Sequence, residues 1–241
     1  MNFDSLVTDY LTGKKFSNGL QVTVQNSKSD TSLRNRYLER LVHNHHVLHI
    51  GFVDHQPLIE KKIQSNQWLH KILTDSASRC FGLDINEEGV HYVKQQLGYK
   101  DVMALNILTD DVPHAITDTK WDYIILADVI EHINNPVEFL TQLRERYSQY
   151  CTRLIITTPN ALRVQNFLNN LKSMECINTD HRYWFTPFTL AKIATEANYL
   201  VSNFELCQHS SIPRRQFIQR IIMNRMPFFR DTIVMELDFN D

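Results

Sequence analysis

The run YIILADVIEHINNP, from Tyr123 to Pro136, changes character at its sixth residue. Tyr123 to Ala127 form an unbroken apolar run, as strands covered on both faces tend to. Asp128, Glu131 and His132 follow at spacings i, i+3 and i+4, the densest polar cluster in the chain. One helical turn would set all three on one side. Pro136 stands where the first turn of a helix tolerates proline, and Leu140, Leu143 and Tyr147 give that helix an inward face. A strand that ends in a polar turn and passes into a helix is the repeating unit of a parallel sheet.

The unit recurs in both directions. Upstream lie strand-like HVLHI (46–50), RCFGLD (79–84) and VMALNI (102–107). Helices are predicted over 33–43, with Tyr37, Leu38, Leu41 and Val42 on one face, and over 65–76, with Trp68, Leu69, Ile72 and Leu73. A further helix is capped by Asn86 and carries Val90, Val93 and Leu97. Downstream, RLIITT (153–158) is stopped by Pro159. FTLAKIATEANY turns Leu190, Ile193, Ala194 and Ala197 inward, and LVSNFELCQ and TIVMELDF flank a basic helix, RRQFIQRIIMNR (214–225). Residues 1–33 read as an N-terminal extension, in which FSNGLQVTVQ has the Asn18-Gly19 signal of a short hairpin or strand; 34–241 form the main domain. The expected class is α/β, a largely parallel sheet with helices on both faces.

At 241 residues, 43% apolar and 22% charged, the chain suits one such domain. A net charge of −2 provides no basic field to gather nucleic acid. Cys80, Cys151, Cys176 and Cys207 form no C-x-x-C pair, so reduced thiols in a cytoplasmic protein are expected rather than disulfides or zinc. The N-terminus lacks the order of a signal peptide, and no apolar run approaches about 18 residues, so no membrane partner is expected.

In such sheets ligands bind beyond the carboxyl ends of the strands. Gly51, in GFVDH, permits a tight turn there. Asp84 ends the second strand and is placed to accept from both hydroxyls of a ribose, since Asn86 is the better helix cap. Asn106 offers an amide to an adenine edge or serves as a turn residue. TTPNA and NTDHRYWFTP, with His181, follow the fifth strand.

Taken in order, VLHIG, GLDIN, ALNI, WDYIILADVIEHINNPVEFL, LIITTPN and NTDHRYWFTPFTLAKI resemble the class I S-adenosylmethionine-dependent methyltransferases, over about residues 34–207. The branch resembled has E-H after the fourth strand and D-H…P-x-T-L after the fifth. The resemblance implies a Rossmann-like seven-stranded sheet with the last strand antiparallel and TIVMELDF inside it. It implies S-adenosylmethionine as cofactor. Gly51, Phe52, Asp54 and His55 would face its methionine part. Asp84 would hold the ribose, Ile85, Asn106 and Ile107 would flank the adenine, and Asp128 and Val129 would line the sulfonium end. The departure is the first loop, usually D-x-G-x-G-x-G. Here His49 replaces the acid, and Val53 and His55 replace two glycines. Either the loop takes another shape or binding is lost; His49 reads as a satisfied strand-end histidine.

Methyl transfer to oxygen is helped by a base, and His132 is the candidate, with Glu131 and His181 beside it. Asp128, Glu131, His132 and His181 together would suit Mg²⁺ or Mn²⁺, as in relatives that methylate a ribose diol at RNA ends or a catechol-like ring, although those usually carry glutamate at the position of Asp128. The plainer alternative makes Glu131 and His132 braces of the loop and His181 a helix cap or lid anchor. His43, His45 and His46 read as surface histidines. HRYWFTPF is an aromatic wall over the acceptor or core packing. The arginines 214, 215, 220 and 225 meet an anionic acceptor or form a solvated face, and Phe217, Ile218, Ile221 and Ile222 form core or a homodimer contact. The expected function is O-methylation of a small hydroxylated metabolite, a sugar or a nucleotide sugar. The alternatives are an RNA-end enzyme and a non-catalytic scaffold.

Overall fold

The computed structural model describes residues 1, 3, 5–23, 33–54, 56–212 and 217–239. Its strands are β1 (His46–Ile50), β2 (Arg79–Asp84), β3 (Val102–Ala104), β4 (Trp121–Ala127), β5 (Cys151–Pro159), β6 (Tyr199–Cys207) and β7 (Thr232–Phe239). They form one seven-stranded sheet in the order β3-β2-β1-β4-β5-β7-β6. β1 to β5 are parallel, and β7 runs antiparallel between β5 and β6. TIVMELDF is therefore the inserted antiparallel strand expected. Strand order reverses between β1 and β4, which opens a crevice at their carboxyl ends.

The helices are α1 (Ser5–Leu11), α2 (Arg34–Val42), α3 (Gln56–Gln64), α4 (Leu69–Ser76), α5 (Glu87–Gln95), α6 (His114–Thr117), α7 (Pro136–Tyr147), α8 (Val164–Asn170), α9 (Pro187–Glu196) and α10 (Phe217–Arg225). The period-two alternation of strand side chains sorts them onto two faces. Leu48, Ile124, Leu126, Leu154 and Ile156 pack with Val7, Leu11, Leu140, Leu143, Leu190 and Ala194 of α1, α7 and α9. Val47, Ile125 and Ile155 pack with Leu38, Val42, Leu69 and Leu73 of α2 and α4. Each fully buried Leu or Ile stabilises the sheet by about 1.5–3 kcal/mol, so the apolar runs that marked the strands also hold them.

Local signals set the helix starts. Asn86 accepts from the Gly89 N–H at 3.0 Å, and Glu87 and Glu88 sit in the first turn of α5 at the positive end of its dipole. Asn135 caps α7 ahead of Pro136, and Thr186 and Thr189 form a capping box on α9.

The structure refines several expectations. The helix predicted over 65–76 begins only at Leu69, because Asn66 takes φ 52°, and Gln56–Gln64 is a separate helix. FSNGLQVTVQ forms no strand over its described residues 16–23; residues 24–32 lie outside the described ones. Within the N-terminal extension, Met1, Val7 and Leu11 pack into the main core. Phe217, Ile221 and Ile222 are exposed rather than core, while the side chain of Ile218 and the positions of Arg214 and Arg215 lie outside the described residues. Of the aromatic run, Phe185 is buried, Trp184 half-buried and Tyr183 exposed, so its role is divided. His43 is exposed, and His45 and His46 are half-buried, with His45 3.3 Å from Asp122.

Candidate active site

The first loop leaves β1 through Gly51, at φ 71°, and its N–H bonds the Leu83 carbonyl at 2.8 Å. A Cβ at this position would come within 2.4 Å of Val129 Cγ2, so both backbone angle and space require glycine. The next residues show how the loop manages without more glycines. Phe52 is buried against the His70 ring at 4.5 Å. The Val53 side chain turns toward α5 and rests on Gly89, where a Cβ would meet Val53 Cγ1 at 2.3 Å. The Val53 N–H donates to Asp84 Oδ2 at 2.9 Å. Asp84 Oδ1 accepts from the Asn86 N–H, also at 2.9 Å. Asp84 therefore fixes both the loop and the turn into α5. Burial pushes its carboxyl up, and these N–H bonds work against that rise.

His49 is indeed satisfied. Its Nδ1 lies 3.2 Å from His70 Nδ1, and one ring donates while the other accepts. Burial holds His49 well below its usual range and brings His70 down to about 3, so both are neutral. Asp54 pairs with Lys62 of α3. His55 lies outside the described residues.

Three adjoining cavities open at the strand ends. One of about 410 Å³ is lined by Gly51, Asp84, Ile85, Asn106, Ile107 and Val129, among others. A second, of about 220 Å³, is lined by Arg34, His49, Gly51, Phe52, Asp54, Lys62, Asp128 and His209. The third and largest, about 760 Å³, takes in Asp54, Asp128, Glu131, His132, Arg163, His181 and His209. Gly51 joins the first to the second, and Asp128 joins the second to the third. Asp84 and Asp128 thus line neighbouring cavities with Gly51 on the wall they share.

Asp128 sits at φ 53°, which turns its carboxylate toward α2. There it pairs with the buried Arg34 and accepts from Thr157 Oγ1 at 3.1 Å. Burial pushes this carboxyl up, but Arg34 outweighs burial and holds it below its usual range.

The turn Ile130–His132 then faces the chamber. Glu131 is fully buried, and its Oε2 accepts from Thr158 Oγ1 at 3.0 Å. Its Oε1 has no hydrogen-bond partner and lies 4.0 Å from His181 Nε2, beyond bonding reach. Burial first, and the Asp128 charge second, push the Glu131 carboxyl well up. His132 Nδ1 is 3.1 Å from the Asp180 carbonyl. A carbonyl only accepts, so Nδ1 carries the proton and Nε2 is left as an acceptor. The His181 ring meets His132 edge-on at 4.7 Å, and burial and then His132 lower its pKa. His181 Nδ1 is buried without a partner. Arg182 clamps the segment by donating to the Glu131 carbonyl through its N–H at 2.8 Å and to the His132 carbonyl through its guanidinium at 2.6 Å.

Of the four side chains expected to hold a metal, the structure brings three together: single ligand atoms of Glu131, His132 and His181 lie within 4.8 Å of one another. Asp128 stands apart, because its carboxylate is engaged by Arg34 and Thr157.

A methyltransferase-domain model matches residues 28–202. The chain belongs to that family. No curated protein matches this methyltransferase by sequence. Solved structures share its fold. An S-adenosylmethionine-dependent methyltransferase from Clostridium acetobutylicum is 10% identical with a TM-score of 0.52, over 98% of each chain. Magnesium protoporphyrin IX methyltransferase from Synechocystis, solved with S-adenosylhomocysteine, is 14% identical with a TM-score of 0.52, over 86% of this chain and 83% of the other. The small RNA methyltransferase HEN1 is 17% identical with a TM-score of 0.57, over 91% of this chain and 27% of the other. Among the residues lining the methyltransferase's crevice, Arg34, Lys62 and His209 escaped the sequence reading. Arg34 lies in a helix before the first strand and His209 just after the sixth, and neither belongs to a local pattern.

Proposed function

We propose that this methyltransferase takes S-adenosylmethionine in the two smaller cavities and methylates an oxygen of a small hydroxylated metabolite or sugar held in the large chamber. The residues present fit the cofactor. Asp84 retains lone pairs for ribose hydroxyls beside the two N–H bonds it accepts, and Ile85 and Ile107 offer apolar walls to a purine. Arg34 and Asp128 present opposite charges in the second cavity, matching the carboxylate and ammonium of an amino acid. The cofactor, when bound, supplies a methyl group on an electrophilic sulfonium.

The chain's own part is to orient the acceptor, exclude water and take a proton. His132 carries that proposal: with Nδ1–H committed to Asp180, its Nε2 is the available base on the chamber wall. Glu131, kept from ionising by burial, and His181 position it. The test is transfer of isotopically labelled methyl from S-adenosylmethionine to a panel of sugars, nucleotide sugars and catechols. Labelled product with the native chain, formed at least about a hundredfold more slowly with His132→Ala, is expected. No detectable binding of S-adenosylhomocysteine at millimolar concentration would instead make the chain a scaffold.

A second reading has one observation in its favour. Glu131 Oε1 and His181 Nδ1 are both buried and unpartnered, and Glu131, His132 and His181 each bring one ligand atom within 4.8 Å of the others, three positions for a divalent cation. The acceptor would then be a vicinal diol. Calorimetry with Mn²⁺ separates the readings: a binding isotherm lost in Glu131→Gln supports the metal, and its absence leaves His132 as a simple base.

A further inference from the structure

Two helices near the mouth of the large chamber are inside out. In α10, Met223 is buried, while Phe217 is 61% exposed, Ile221 47% and Ile222 38%. In α8, the polar Asn169 is buried and receives the Gln165 amide at 2.8 Å, while Phe167 is 52% exposed and Leu168 and Leu171 are also in solvent. An amphipathic helix of a water-soluble domain does the reverse. The two faces belong together: the Phe167 ring stacks with Phe229, just past α10, at 6.3 Å. Met174, Ile177 and Met226 are exposed in the adjoining segments. Contiguous apolar surface of this kind marks a docking site.

Charge decides what docks. Residues 208–230 contain five arginines and neither aspartate nor glutamate, in a chain whose net charge is −2. Arg230 is buried and donates to the Met223 and Leu206 carbonyls at 3.0 and 2.8 Å, which anchors the end of α10 to β6. Arg220 and Arg225 are exposed. In residues 160–179, Arg163 and Lys172 outnumber Glu175. A second copy of this face would set arginine against arginine across a two-fold axis. Basic residues mixed with exposed aromatic and aliphatic ones suit an anionic, apolar partner instead.

We propose that α8 and α10 form an interfacial face that docks this methyltransferase on an anionic lipid bilayer. Among the described residues no helix is long and apolar enough to cross a membrane, so this would be attachment at the surface. The face adjoins the chamber. Arg163, Ser210 and Asp231 line that chamber, and they bound the starts of α8 and of the segment carrying α10 and its far end. An acceptor held in the bilayer would thus meet the chamber from the side. Docking by this face does not depend on which acceptor is methylated.

The experiment is co-sedimentation of the full chain with vesicles of two parts phosphatidylcholine to one part phosphatidylglycerol, and with phosphatidylcholine alone. Binding to the mixed vesicles only is expected. Phe217→Ser/Ile221→Ser should abolish it, and Arg220→Glu/Arg225→Glu should weaken it at least about twentyfold, at about fivefold per arginine. S-adenosylhomocysteine binding by both variants reports that they fold, since none of these residues lines the two smaller cavities. Failure of the native chain to sediment with mixed vesicles overturns the proposal. So does a stable dimer that Ile221→Ser dissociates, which would assign the face to a second copy.

Discussion

The loops after β1 and β4 stand side by side in one crevice and are built on opposite plans. After β1, the described backbone and side chains are spoken for: Gly51 bonds Leu83, Val53 bonds Asp84 and sits on Gly89, and Phe52 stacks on His70. After β4, Glu131 Oε1 is buried with nothing to bond, and so is Nδ1 of His181, which the segment after β5 brings beside it. A buried unpaired polar atom costs about 1–3 kcal/mol, so a fold retains one where something else uses it. The first loop is braced by the fold around it, whereas the second leaves buried polar capacity unused.

The sharpest way to break this contrast is to disarm the second loop. His132→Ala should lower the methyl-transfer rate by about a hundredfold to ten-thousandfold, while S-adenosylhomocysteine affinity stays within a few-fold. A comparable loss of affinity would move His132 from the acceptor side to the cofactor side.

Next comes the first loop. Gly51→Ala meets Val129 and requires a positive φ, and should destabilise by about 2–4 kcal/mol in urea titration. Asp84→Ala frees Val53 and should weaken S-adenosylhomocysteine binding about ten- to hundredfold by calorimetry, with some loss of stability as well. Val53→Gly sharpens the point: restoring a glycine should cost about 1 kcal/mol of stability and leave affinity no tighter. If affinity rises instead, the valine obstructs the site rather than supporting it.

The remaining effects are those of pH. His70 is neutral when folded down to about pH 3 but protonates near 6.5 when unfolded. Between those values the unfolded chain binds more protons, so stability rises with pH and is lost as pH falls below 6.5, by about 2 kcal/mol at pH 5. The double variant His49→Leu/His70→Leu removes both partners together and should flatten that slope.

Regular structure was legible wherever apolar period and capping agreed, as at β4, Asn86 and Pro136. The number of strands and the antiparallel β7 inside the sheet came from the family resemblance, while the strand order came from the structure. The crevice was legible too, because each strand end carried a polar residue against an apolar run: Asp84, Asn106 and Asp128 all line it. What was not legible was pairing between distant segments. Arg34 meets Asp128 across 94 residues, and nothing local forecasts it. That pairing, with the positive φ at Asp128, is why the fourth expected metal ligand stands away from the other three. The α10 stripe, read as core or a homodimer contact, is exposed at Phe217, Ile221 and Ile222, because a run of isoleucines looks the same in sequence whether it faces a core or the outside.

One backbone bond connects the two halves of the proposal. The Arg34 N–H donates to the Gln208 carbonyl at 2.9 Å, so the residue whose guanidinium lines the second cavity is tied at that point to the chain just past β6, which continues toward α10. If lipid contact shifts that point, vesicles should alter the affinity for S-adenosylhomocysteine, and the nucleoside should alter the affinity for vesicles by an equal factor. The molecule would then sense whether it is on a surface before it commits its cofactor.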